Sequence, residues 1–98
     1  MPSAPHVEEW QRAAAQTRVT WTGDLNDDCI AVWAGLTLRA ERMKRILWWW
    51  AVYDNATGEV VVDSHKASEV ARNGKRARSA AESAARSWLT NVGSSNNA

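Results

Sequence analysis

Near residue 67 the hydrophobic period of this chain changes from two to 3.6. Before that point, β-branched and aromatic residues alternate with polar ones in short runs. After it, Ala67, Val70, Ala71, Gly74, Ala77, Ala81, Ala84, Ala85, Trp88, Leu89 and Val92 step along one helical face. A stripe built mostly from alanine lets a helix approach a sheet closely. The pattern therefore calls for strands first, then one long helix packed over them.

Pro5 and the segment Val7–Ala15 read as a short N-terminal helix, with Glu8 and Glu9 in its first turn as the helix dipole prefers. Val7, Trp10 and Ala14 share its apolar face. Arg18–Thr22 reads as a first strand, ended by the acidic, turn-rich stretch Gly23–Asp28. Cys29–Leu38 reads as a second, continuous strand, and the polar segment Arg39–Lys44 as a connector. Arg45–Tyr53 is the third strand. Asp54–Gly58 is a hairpin turn closed by Gly58, and Glu59–Asp63 the fourth strand. Ser64 or Ser68 caps the long helix, Asn73-Gly74 is its weak point, and Gly93 ends it before a flexible tail over 93–98. Short connections between consecutive strands favour an antiparallel meander. The expected fold is α+β: a short N-terminal helix, a four-stranded antiparallel meander, and a long C-terminal helix packed on one sheet face. Residues 1–98 form one domain, with an ordered core over about 5–92.

A chain of 98 residues with 45% hydrophobic and 23% charged positions fits a small globular domain. Its longest apolar run, Ile46–Tyr53, is too short to span a bilayer, and no secretory leader is visible, so the expected location is cytoplasmic. The single cysteine, Cys29, forms no internal disulfide and makes no thiolate zinc site alone. The formal net charge is only +1, but it is unevenly placed. Residues 1–65 carry six Lys/Arg against nine Asp/Glu, and residues 66–98 carry six against two.

Seven Trp and one Tyr stand against no Phe, so Trp carries the aromatic packing. Strict alternation divides the sheet into two faces. The first holds Val19, Trp21, Ile30, Val32, Leu36, Leu38, Ile46, Trp48, Trp50, Val52, Val60 and Val62, and should lie beneath the long helix. The second mixes polar residues with Trp33, Trp49 and Tyr53. Those three form an aromatic platform for a protein partner, or are covered by the N-terminal helix, or pair in a homodimer. A one-residue slip would exchange the faces.

The second candidate is the basic set Arg72, Lys75, Arg76 and Arg78, read as phosphate contacts to nucleic acid or as a solvated helix face. Gly74–Ala81 resembles the basic start of the second helix of double-stranded-RNA-binding domains, which bind largely by duplex shape. That resemblance covers about one-fifth of the chain. It implies phosphate contact by Lys75, Arg76 and Arg78.

Catalytic constellations are weak. Asp24, Asn26 and Asp28 open like a calcium loop, but Gly35 stands where the bidentate Glu belongs. His65 beside Asp63 and Ser64 makes no triad, and acidic neighbours disfavour a Cys29 thiolate. The expectation is a non-enzymatic, cofactor-free binding protein whose partner is a protein, with nucleic acid as the alternative. In size and architecture the chain resembles small inhibitors encoded by phages and mobile elements, such as anti-CRISPR proteins.

Overall fold

The computed structural model describes residues 5–65 and 71–95, with side chains from 9 to 65 and from 71 to 91. The elements run α1 (Pro5–Gln16), β1 (Thr22–Asp24), β2 (Asp28–Trp33), β3 (Leu36–Lys44), β4 (Leu47–Asp54), β5 (Val60–Asp63) and α2 (Gly74–Ser95). The strands form one antiparallel sheet in the order β1-β2-β3-β4-β5, a meander as expected. Helix α2 crosses β3, β4 and β5 on one face, and α1 lies against α2. Among the described residues no helix is long and apolar enough to cross a membrane.

The sheet has five strands, not four. The run Cys29–Leu38 is two strands folded at Ala34-Gly35, whose φ angles are +52° and +79°. Two consecutive residues with positive φ make the tight turn that matches the right-handed twist of a hairpin. Ala-Gly lacks the Asn or Asp that usually signals such a turn, and the alternation runs through it undisturbed.

This turn also corrects the faces of β2. In a continuous strand Trp33 and Leu36 would point to opposite sides; across the hairpin they are register partners on one side. Cys29, Ala31 and Trp33 therefore lie beneath the helices, while Ile30 and Val32 are 42% and 67% exposed on the other face. The remaining strands keep the expected phase where it matters most: Leu36, Leu38, Trp48, Trp50 and Val52 are buried.

Further boundaries differ. Of Arg18–Thr22 only Thr22 is in a strand, and Val19 and Trp21 pack half-buried before it. The polar segment Arg39–Lys44 is no connector but the outer half of β3. Its register shifts between Arg42 and Lys44, next to a two-residue turn at Arg45-Ile46 that has no positive φ, and Ile46 is 67% exposed there. Helix α2 starts at Gly74, so the weak point is its beginning. The Asn73 side chain caps it, accepting a 2.8 Å hydrogen bond from the Arg76 N–H. The earlier start at Ala67 and a cap at Ser68 lie outside the described residues, and Ser64 instead bonds β4, its Oγ accepting from the Trp50 N–H. At the other end α2 passes through Gly93 to Ser95, a difference of the size that fraying ends allow.

The core is the expected small-residue interface. Ala77, Ala81, Ala85 and Leu89, spaced by four, are at most 3% exposed against Trp50, Leu38 and their neighbours. Trp21 ties the strand side to α2 by donating from Nε1 to Glu82 Oε2 at 3.0 Å.

Candidate functional site

The three aromatic candidates do not share a surface. Trp33 is 3% exposed on the helix side, where its Nε1 donates to the Thr17 carbonyl and the Arg86 guanidinium stacks 4.8 Å above its ring. It forms a wall of a hollow of about 510 Å³ between α1 and α2, with Gln11, Ala14, Arg86 and Leu89. Trp49 and Tyr53 lie on the opposite face, both half-buried, in register with Glu41 and Thr37. Ala51 sits between them along β4 and is fully buried although, among the described residues, no helix covers that side. Its cross-strand neighbours there are Arg39 on β3 and Asp63 on β5.

This second face is left open because both helices pack on the other one. In place of Trp33 it gains Ile30 and Val32, registered to Arg39 and Thr37. The N-terminal helix does not fold over it. Its charged centre is a closed network: Arg39 donates from Nε and Nη2 to Asp28 at 3.1 and 3.0 Å, and from Nη2 to Glu41 Oε2 at 2.8 Å. Those bonds hold the Asp28 carboxyl below the usual carboxylate range, chiefly through the hydrogen bond from Arg39. They hold the Arg39 guanidinium still more firmly protonated than usual. With two carboxylates to one guanidinium, the network leaves no unpaired cation among the described residues at the centre of the open face.

The basic candidates behave differently. Arg72, Lys75 and Arg78 line a hollow of about 590 Å³ at the N-terminal end of α2, whereas Arg76 is exposed outside it. Two further cations, Arg42 and Arg45 at the β3–β4 turn, line the same hollow, and Trp48 contributes to its wall. The sequence reading overlooked both, although three of the four residues at 42–45 are basic. The bulge at Met43 and the pairing of Trp48 with Ala71, whose carbonyl accepts from the Trp48 N–H at 2.8 Å, bring the two basic segments together. Arg78 is fixed in place, donating from Nη1 to the Leu25 carbonyl at 2.8 Å.

The remaining polar candidates have local structural partners. Asp24 Oδ1 accepts from the Asn26 N–H at 2.9 Å, closing the β1–β2 turn. Cys29 is buried, with its thiol directed at the Ala40 carbonyl. His65 is exposed. Among the described residues no group of three or more His, Cys, Asp and Glu is placed to hold a metal ion. Comparison with protein-family models, curated proteins and solved structures finds no match to this chain.

Proposed function

We propose that this chain is a small non-catalytic binding protein that docks on another protein through the open face of its sheet. The observation that carries the reading is the 67% exposure of Val32, beside Ile30 at 42%, on a face that also presents Trp49 and Tyr53. An antiparallel sheet that meets water on one side normally alternates apolar-in and polar-out. Here two outward positions of β2, Ile30 and Val32, are β-branched and apolar, and two of β4, Trp49 and Tyr53, are aromatic. Large aromatics beside aliphatic residues and a polar rim are what protein interfaces use as anchors. The Asp28–Arg39–Glu41 network leaves that face slightly acidic, which disfavours a phosphate-bearing partner and supports a protein. Binding that blocks a partner's own surface, the inhibitor mode suggested by the architecture, needs no further chemistry from this chain.

The test compares the wild type with Val32→Glu and with Trp49→Ala/Tyr53→Ala. Each protein is used to capture partners from a cell lysate, with light scattering on the purified chain. A specific protein held by the wild type and lost from a folded Val32→Glu variant supports the reading. A monomer whose captured proteins are the same for all three sinks it. A dimer that Val32→Glu dissociates identifies the partner as a second copy.

A further inference from the structure

We propose that the basic hollow at the N-terminal end of α2 is a second binding site, one that holds the phosphate backbone of a double-stranded nucleic acid. It lies on the helix side of the sheet, away from the open face, and its argument is independent of any protein docking there.

Five cations from two distant segments converge on it: Arg42 and Arg45 from the β3–β4 turn, and Arg72, Lys75 and Arg78 from the start of α2. Among the described residues none of the five has a carboxylate within 4 Å, since the ion pairs formed there are those of Arg39 on the opposite face. Gathering unpaired like charges around one hollow is unfavourable for the free protein. A row of phosphates reverses that sign. The formal net charge of only +1 means that the attraction is concentrated here rather than spread over the molecule.

The helix adds to it. Gly74 and Lys75, the first residues of the 22-residue α2, line the hollow, so the positive end of the helix dipole opens into it. Asn73, which also lines the hollow, accepts the Arg76 N–H and leaves the earlier N–H groups of the first turn uncapped by it. Arg78 is held by its bond to Leu25, so one guanidinium is already positioned and loses little freedom on binding.

The class of nucleic acid follows from what the site lacks in reach. Single-strand binders stack bases on exposed aromatic rings. The ring at this site, Trp48, forms part of the wall but is only 5% exposed, too little to stack a base. Contacts are therefore to backbone phosphates, which position a duplex without reading its sequence.

The experiment is a fluorescence-anisotropy titration of the full chain. The probes are labelled duplex DNA and duplex RNA of about 20 base pairs, a single strand of the same length, and phosphatidylserine-containing vesicles, from about 50 to about 200 mM salt. Saturable duplex binding is expected, with log affinity falling against log salt at a slope of about −4.5 if the five cations meet phosphates. Arg42→Gln/Arg45→Gln/Lys75→Gln replaces three exposed side chains and should flatten that slope by about 3 and weaken binding at least about tenfold. Arg72→Gln alone should flatten it by about 1, and keeps the test decisive if the triple variant misfolds. Arg12→Gln/Arg18→Gln, also exposed, should leave binding unchanged. Failure to bind duplex at the lowest salt, or unchanged binding by folded groove variants, overturns the proposal. So does a single strand bound as tightly as the duplex, or vesicles bound in its place.

Discussion

The indole of Trp10 occupies the space that a Cβ on Gly35 would need, so the first helix is docked directly against the turn between β2 and β3. The same glycine has φ +79°, in the left-handed region that L side chains avoid. One residue thus closes the hairpin and seats the helix. Gly35→Ala combines backbone strain of roughly 1–2 kcal/mol with overpacking of roughly 1–3 kcal/mol. A loss of about 2–5 kcal/mol is expected in urea unfolding followed by Trp fluorescence. Ala34→Gly, at φ +52°, should cost nothing and can raise stability. Equal stability of Gly35→Ala and wild type would show that Trp10 yields freely.

The Asn73 cap gives a second prediction. Its Oδ1 accepts the Arg76 N–H at 2.8 Å at the start of the helix that covers the sheet. Asn73→Ala should lower stability by about 1 kcal/mol, and Asn73→Asp should restore it. If Asn73→Ala unfolds at the same urea concentration as the wild type, the cap contributes nothing.

These two sites show where the sequence is legible. The stripe Ala77, Ala81, Ala85 and Leu89 is regular enough to be read unaided, because a 3.6-residue period places them on one face whatever lies beneath. The Asp54–Gly58 turn is also readable, since Gly58 at φ +76° serves as a hairpin glycine should. Ala34-Gly35 is not, because neither residue interrupts the alternation and only the three-dimensional register of Trp33 with Leu36 discloses the fold-back. That single turn moves Trp33 to the core and Ile30 and Val32 to the open face. The basic site was half legible for a related reason. Arg72, Lys75 and Arg78 neighbour one another along the chain, but Arg42 and Arg45 join them only through the pairing of Trp48 with Ala71.

The closeness of α2 to the sheet yields a third prediction. Ala81 is fully buried, so added methyl groups there have no free volume to enter. Ala81→Leu should destabilise by about 1–3 kcal/mol, whereas Ser83→Leu, on the exposed side of the same helix, should change stability by less than about 0.5 kcal/mol. Equal effects at the two positions would mean that α2 does not pack on the sheet by its alanine stripe.

Asp28 and Glu41 are direct partners across β2 and β3, two carboxylates opposite one another, and Arg39 bonds both. Like charges placed opposite in a sheet are destabilising, so Arg39 both forms a bridge and cancels a repulsion. The Asp28 carboxyl is held below its usual range, so the native state binds its proton less readily than the unfolded chain. The stabilisation is present above the ordinary carboxylate range and is lost as pH falls through the depressed value. Because both side chains are more than one-third exposed, it amounts to at most about 1 kcal/mol. Arg39→Gln reverses the sign. It leaves the two carboxylates facing each other, and their repulsion favours proton uptake by the native state. The variant should be about 1 kcal/mol less stable than wild type near pH 7. The gap should narrow as both proteins are taken below the ordinary carboxylate range, to about pH 2.5, and close once the depressed Asp28 carboxyl of the wild type has also taken up its proton. Urea unfolding at the two pH values measures it. A gap that persists unchanged in acid would place the role of Arg39 in the packing of its side chain rather than in its charge.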